Sequence, residues 1–101
     1  MAETVRDDCA RQRFELKVKG ALAFIDYLRD GRNVIMTHAE VPPALRGGGI
    51  GSELVKGALS LVRERGEKVV PLCPFVARYM RDHPESLDLL AERRRLDTWN
   101  N

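Results

Sequence analysis

The first half of the chain shows the alternation of apolar and polar positions that is typical of β-strands. Residues 13–19 alternate strictly between charged and apolar side chains, which predicts a half-buried strand. A second apolar run covers 21–28, and Asp30-Gly31 predicts a hairpin, because Gly accepts the positive φ of a tight turn. A third strand is predicted over 33–41, rich in β-branched residues and stopped by two prolines. These runs predict a three-strand antiparallel meander.

The second half changes to helical spacing. Apolar residues recur over 50–62 at intervals of three and four, which predicts an amphipathic helix, and Gly66 is placed to end it. A short strand is predicted over 69–73. Since a helix connects it to the preceding strand, the two strands are expected to run parallel. Pro71 cannot donate to a strand ladder, so this strand is expected either to lie at an edge or to separate from its neighbour there.

The remaining segments complete one domain of mixed α+β class. Pro74 suits the first turn of a helix over 75–82, and a last helix is predicted over 85–96, acidic at its start and basic near its end. Residues 1–11 are polar without periodicity and are expected to be a flexible lead-in. The domain itself is predicted to span 12–96.

Composition narrows the class of protein without naming a function. The 101 residues include 17 Lys and Arg against 15 Asp and Glu, and the net charge of +2 is too small to indicate a nucleic-acid partner. No apolar stretch approaches the roughly 20 residues of a membrane helix, and the N-terminus lacks the apolar core of a secretory signal. A cytoplasmic location is therefore expected. Cys9 and Cys73 are expected to be reduced thiols, and no metal-ligand spacing is present.

The most informative segment is a glycine-rich loop between a predicted strand and a predicted helix. It contains Arg46 and the run 47–52, Gly-Gly-Gly-Ile-Gly-Ser. Glycines let several backbone N–H groups turn toward one point, and a helix N-terminus adds partial positive charge, so the segment predicts a phosphate or pyrophosphate site. A Walker A loop is excluded because no Lys precedes Ser52. A Rossmann fingerprint fits poorly, since Ser52 stands where its third Gly belongs.

The pattern that fits is Arg-x-x-Gly-x-Gly, formed by Arg46, Gly49 and Gly51. With the meander before it and the helix and parallel strand after it, this loop resembles the acetyl-CoA signature of the GNAT superfamily of N-acetyltransferases. The Cys-Pro-Phe-Val run from Cys73 and the His-Pro-Glu run from His83 resemble a small, single-domain GNAT-like branch of about one hundred residues. The resemblance covers roughly residues 12–90 and implies a minimal GNAT-like fold.

The resemblance also implies a cofactor site. Backbone amides of 46–51 would hold the CoA pyrophosphate, and the parallel strands would splay apart to admit the pantetheine arm. The residues expected to bind acetyl-CoA or CoA are Val41, Arg46, Gly47, Gly48, Gly49, Ile50, Gly51 and Ser52.

Two residues are candidates for catalysis. Cys73 lies between a strand end and a helix start, where the helix favours a thiolate, and it could accept the acetyl group covalently or line the site for direct transfer. His38 lies on the third strand, and its imidazole could take the proton of an incoming amine. Larger GNAT enzymes often use a Tyr at the position that Arg81 occupies here, and Tyr79 is two positions early. Glu40 shares the strand face of His38 but is expected to be a solvated side chain.

The leading functional prediction is an acetyl-CoA-dependent N-acetyltransferase acting on an amine, either a small molecule or a protein. The alternative is a CoA-binding module or sensor without turnover, because the Tyr is missing and the chain is small. An RNA-binding domain built on the Arg cluster is disfavoured by the 6% aromatic content. No membrane partner is expected.

Overall fold

The computed structural model describes residues 4–91, and these form one five-stranded sheet with the strands in sequence order. The first four strands pair antiparallel, and the fifth pairs parallel to the fourth. The mixed α+β class and the parallel crossover are confirmed. The strands are β1 Arg6–Asp8, β2 Arg13–Val18, β3 Ala21–Asp30, β4 Asn33–Glu40 and β5 Lys68–Pro71.

Two helices and two 3₁₀ segments complete the fold of residues 4–91. A 3₁₀ turn over Pro43–Leu45 follows β4 and leads into the glycine loop. Helix α1 spans Ile50–Glu64, helix α2 spans Pro74–Asp82, and a second 3₁₀ segment spans Pro84–Leu89.

The core lies between the sheet and its helices. Alternation on β2 places Phe14 and Leu16 in it, and the apolar stripe of α1 contributes Leu54, Ala58 and Val62. All five side chains are buried, so the sheet presents its apolar face to α1 as the sequence pattern predicts. This packing fixes the N-terminal end of α1 beside the carboxyl end of β4.

The lead-in predicted over residues 1–11 differs from the structure. Arg6–Asp8 forms β1 and extends the meander to four strands by pairing antiparallel with β2. This pairing is supported by Asp7, whose buried carboxylate accepts hydrogen bonds from Tyr27 and Arg65. The strand therefore depends on charged contacts with distant residues rather than on an apolar pattern of its own.

The helix predicted over 85–96 is not formed by the residues that the structure describes up to position 91. A 3₁₀ segment begins at Pro84 and ends at Leu89, and Leu90 is extended. The N–H of Ala91 then donates to the carbonyl of Val69 on β5, so the chain runs beside the sheet instead of continuing a helix. Positions 92–96 of the prediction lie outside the described residues.

Candidate functional site

The parallel pairing of β4 with β5 ends halfway along β4. The last paired residues are Met36 and Pro71, and the N–H of Cys73 donates to the carbonyl of Met36 as the chain turns away into α2. Among the described residues, the rest of β4 pairs with β3 alone, and a bulge interrupts that ladder next to Asp26. The expectation that the two strands part at Pro71 agrees with this register. The departure of β5 leaves one edge of β4 without a strand partner.

The glycine loop has the backbone conformation that its sequence predicts. Gly47 and Gly49 have φ of 86° and 79°, in the left-handed region that favours glycine. Gly49 is the residue that precedes α1, and its carbonyl accepts the first helical hydrogen bond from Glu53. Gly49 has no side chain with which to cap the helix, and no other side chain within residues 4–91 caps this end. The N–H groups of the first turn, from Ile50 onward, are therefore available to an outside acceptor.

Arg46 adds a positive charge beside these N–H groups. The backbone N–H of Arg46 donates to the carbonyl of Pro43 and is not available to a ligand. The backbone donors that the loop can offer are therefore those of the residues after Arg46. Its Nε donates to the carbonyl of Val41 at 3.0 Å. This contact anchors the guanidinium by its inner nitrogen and leaves the two terminal nitrogens to meet a ligand.

One cleft joins the free edge of β4 to the glycine loop. We call it the loop cleft; its volume is about 550 Å³. Phe75, at the start of α2, forms part of its wall, although the sequence patterns gave it no role. Of the residues expected to bind the cofactor, those that line this cleft are Val41, Arg46, Gly47, Gly49, Ile50, Gly51 and Ser52, whereas Gly48 does not line it.

His38 and Glu40 lie at the β4 end of the loop cleft. Their Nε2 and Oε1 atoms are 3.3 Å apart, and both side chains are more than half exposed. His38 pairs across the ladder with Asp26 of β3. The cleft thus brings an imidazole to the same space as the glycine loop.

Cys73 is the residue before α2, as predicted, but its side chain is 4% exposed and belongs to the apolar core. It does not line the loop cleft. Tyr79 lies in a separate cleft with its ring stacked on His83, their centroids 3.8 Å apart. Burial raises the pKa of Tyr79, and the nearby carboxylates of Glu85 and Glu53 raise it further, so the phenol stays protonated near neutral pH.

The described residues contain no group of three or more His, Cys, Asp or Glu side chains that could hold a metal ion. Within residues 4–91, neither helix is long and apolar enough to cross a membrane. The side chains that line the loop cleft place one arginine, one imidazole, one carboxylate and the Ser52 hydroxyl beside the backbone donors of the glycine loop.

Comparison with known proteins agrees with this geometry. A family model described as GCN5-related N-acetyl-transferase matches residues 13–89. The protein called Protein NATD1 in Mus musculus is 32% identical over 85 residues, which cover 79% of this chain and 76% of that protein. Protein NATD1 of Homo sapiens is 32% identical over 85 residues, covering 79% and 74%. Protein NATD1 of Danio rerio is 29% identical over 84 residues, covering 79% and 76%.

The family match extends from β2 to the last described 3₁₀ segment, so it includes the open edge of β4, the glycine loop and both helices. Because the match covers most of the chain and agrees with the observed strand order, this chain belongs to the family of GCN5-related N-acetyltransferases.

Proposed function

We propose that this protein transfers an acetyl group from acetyl-CoA to an amine, and that the loop cleft holds the acetyl-CoA. The observation that carries the proposal is the continuity of the loop cleft. One space connects the uncapped start of α1, the guanidinium of Arg46 and the open edge of β4. A diphosphate with an extended, amide-containing arm needs this combination. Hydrogen-bond donors at one end of the cleft meet the diphosphate, and backbone groups along the edge of β4 pair with the amides of the arm.

The pyrophosphate is proposed to lie at the start of α1. Backbone N–H groups of the loop and of Ile50, Gly51 and Ser52 would donate to its oxygens, and the helix dipole favours the negative charge. The terminal nitrogens of Arg46 would add charge-assisted bonds. Val41 borders the same space at the end of β4 and would contact the arm that follows.

Along β4, the pantetheine arm would take the place that β5 leaves after Met36. Its amide groups would then pair with the strand edge as a further strand does. This direction leads from the glycine loop toward His38, so the acetyl thioester is proposed to lie at the His38 end of the loop cleft.

Acetyl-CoA supplies an activated acetyl group. The protein holds the acetyl-CoA and accepts the proton that the acceptor amine loses. When the acceptor nitrogen bonds to the acetyl carbon, the sulfur leaves and the nitrogen loses a proton. His38 is the proposed base, because its imidazole lines the cleft and histidine is the side chain that most often serves as a general base. Direct transfer is favoured over an acetyl-Cys73 route, since the Cys73 side chain is buried outside the cleft lining.

The proposal is tested by measuring CoA thiol release from acetyl-CoA with a panel of amines. We expect amine-dependent release, a fall of roughly 100-fold in kcat for His38→Ala as for loss of a general base, and loss of the acidic limb of the pH–rate profile, where a general base becomes protonated. Glu40→Gln keeps the imidazole and removes the carboxylate 3.3 Å from its Nε2, so this variant is expected to retain turnover and a pH-dependent rate, which His38→Ala is not.

The Cys73 route has its own test. Intact-protein mass spectrometry after incubation with acetyl-CoA is expected to show no stable acetyl adduct, and Cys73→Ser is expected to retain turnover. An acetylated wild-type protein together with an inactive Cys73→Ser variant of unchanged melting temperature would establish the covalent route instead.

A second function, CoA binding without turnover, is favoured by one observation. Arg81 occupies the position expected for a tyrosine, and Tyr79 lies outside the loop cleft. Calorimetry together with the thiol-release assay separates the two functions. A binding module would bind acetyl-CoA in calorimetry but would release no thiol with any amine in the panel.

A further inference from the structure

The sheet has a second apolar surface, on the face that is turned away from α1. Along β4, Val34 and Met36 belong to the main core, whereas Ile35 between them belongs to a separate buried cluster with Val70 and Ala91. Because successive side chains of a strand point to opposite faces, this cluster lies on the other side of the sheet from the main core. We call that side the outer face.

The strand register aligns the apolar residues of the outer face in one row. Leu28 of β3 pairs with Ile35, and Ile35 pairs with Val70 of β5. At the far side of β5, the N–H of Ala91 donates to the carbonyl of Val69. We call Leu28, Ile35, Val70 and Ala91 the outer row.

The outer row is more buried than the described helices explain. Val70 is fully buried, and Ile35 and Ala91 are 9% and 4% exposed. A side chain that stands perpendicular to a sheet is shielded from water only where something lies over it. The apolar side chains that α1, α2 and the last 3₁₀ segment bury all belong to the main core on the opposite face. These elements therefore do not supply the cover.

The path of the chain indicates which segment covers the row. Residues 92–101, which we call the C-terminal segment, continue directly from Ala91 at one end of the row, whereas residues 1–3 precede β1 at the opposite edge of the sheet. Three strand spacings of about 4.8 Å separate Ala91 from Leu28, a distance that about five extended residues span. Leu96 is the fifth residue after Ala91.

The composition of the C-terminal segment matches the outer face. Its large apolar residues are Leu96 and Trp99, and three consecutive arginines precede them. On β3, alternation places Asp26 and Asp30 on either side of Leu28. An apolar row with carboxylates at its β3 end suits a segment that carries both apolar and basic side chains.

We propose that the C-terminal segment crosses the outer face and covers the outer row, with Leu96 and Trp99 packed on it and the arginines extended toward the carboxylates of β3. This cover is independent of CoA and of the loop cleft. It adds a contact beyond the part of the chain that the family model matches, which ends at residue 89.

Acrylamide quenching of fluorescence tests the proposal, because Trp99 is the only tryptophan of the chain. An indole that lies flat on the sheet exposes about half of its surface, so the quenching constant of the wild-type protein is expected to be about half that of N-acetyltryptophanamide. Leu28→Lys places a charge in the outer row beside the arginines. This variant is expected to raise the quenching constant toward that of the free indole and to shift the emission to longer wavelength.

Leu22→Lys is the matched control. Leu22 is on the same strand and the same face as Leu28, but it pairs with Lys17 and lines a cleft beside β1 and β2. Its substitution is expected to leave the quenching of Trp99 unchanged. Leu28→Ser is a second variant of the outer row, without a charge, and is expected to give a smaller rise in the same direction. Thermal melts followed by circular dichroism confirm that each variant is folded.

The outcomes distinguish the C-terminal segment from other occupants of the outer face. Protection of Trp99 that is independent of protein concentration and is lost only in the Leu28 variants would establish the proposal. A freely quenched Trp99 in the wild-type protein, or an equal rise in Leu28→Lys and Leu22→Lys, would overturn it. Protection that disappears as a dimer dissociates on dilution, followed by sedimentation, would also overturn it and would assign the outer row to a second copy of the chain.

Discussion

Replacing Asp7 with alanine removes a buried carboxylate that joins β1 to the far end of α1. The side chain of Asp7 is 3% exposed. Tyr27 donates its hydroxyl to Oδ1 at 2.5 Å, Arg65 donates to Oδ2 at 2.5 Å, and Arg29 lies 3.5 Å from the same oxygen. Tyr27 and Arg29 belong to β3, and Arg65 is the residue after α1. The carboxylate of Asp7 therefore joins β1 to both β3 and the end of α1.

The magnitude follows from what each donor can do once the carboxylate is gone. The hydroxyl of buried Tyr27 loses its acceptor, which costs about 1–3 kcal/mol. Arg29 and Arg65 are each about one-third exposed and can turn to water, so each lost ion pair costs about 0.5–1 kcal/mol. We expect Asp7→Ala to lower the free energy of unfolding by about 3 kcal/mol, a fall in Tm of roughly 10–20 °C for a domain of this size.

Asp8→Ala is the matched control, because Asp8 is the next residue of the same strand. Its carboxylate accepts the exposed backbone N–H of Arg11 at 3.2 Å and lies 3.8 Å from the guanidinium of Arg11, whose side chain is 67% exposed, so its loss is expected to cost about 1 kcal/mol. Urea unfolding followed by circular dichroism measures both variants. Equal midpoints for Asp7→Ala and Asp8→Ala would refute the reasoning and would mean that β1 adds little to the stability of the fold.

Acid titration of the same variants checks the electrostatic part. Burial alone would raise the pKa of Asp7, but hydrogen bonds from Tyr27 and Arg65 outweigh it and hold the pKa below its ordinary value. A carboxyl group whose pKa is lower in the folded than in the unfolded state stabilises the fold at pH values above its unfolded pKa of about 3.9. That stabilisation is lost as the pH falls through the folded pKa. The stability difference between wild type and Asp7→Ala is therefore expected to be constant near neutral pH and to narrow below about pH 4. A difference that stays constant into strong acid would contradict this.

Two further substitutions test other contacts. Gly51→Ala would bring its Cβ within 2.6 Å of Phe75 Cζ, so the ring must move. Calorimetry is expected to show CoA affinity falling by roughly tenfold, with little change in Tm because the ring is partly exposed. Gly48→Ala, with 3.9 Å to its nearest neighbour and no positive φ, is the control and is expected to bind CoA normally. Arg63→Ala removes a bidentate but exposed pair with Asp88, at 2.7 and 2.9 Å, and is expected to lower the urea midpoint only slightly, by an amount that high salt diminishes further.

Elements with a local cause could be predicted from the sequence. The alternation of β2 and the turn at Gly31, with φ of 60°, follow from neighbouring residues. Helix α1 ends where its glycine predicts, since Gly66 has φ of 68°. The glycine loop belongs to the same class, because its conformation depends on the residue types at Gly47 and Gly49.

Elements with a distant cause could not be predicted in this way. β1 has the sequence Arg-Asp-Asp, without any apolar alternation, and Asp7 meets Arg65 58 positions later in the chain. The segment after Pro84 has helical spacing, but Ala91 pairs with the exposed edge of β5 instead. In both cases a tertiary hydrogen bond replaced what the local pattern favours.

The candidate site shows the same division. The loop residues could be selected from the sequence because they are contiguous and glycine-rich. The position of Cys73 before α2 was also predicted, but its burial depends on how α2 packs, which spacing alone does not give. Phe75 was missed for a related reason: its place in the wall depends on how closely α2 approaches Gly51.

The two ends of α1 differ in how they are held. At its C-terminal end, Arg63 and Arg65 fasten the helix to Asp88 and Asp7, whereas its N-terminal end has no side-chain cap and borders the loop cleft. We expect amide hydrogen exchange in the free protein to be slow in the last turns of α1 and fast in its first turn. A ligand that satisfies the first turn would then slow exchange there without reordering the core, so the helix can respond to ligand at one end while the other end keeps its place.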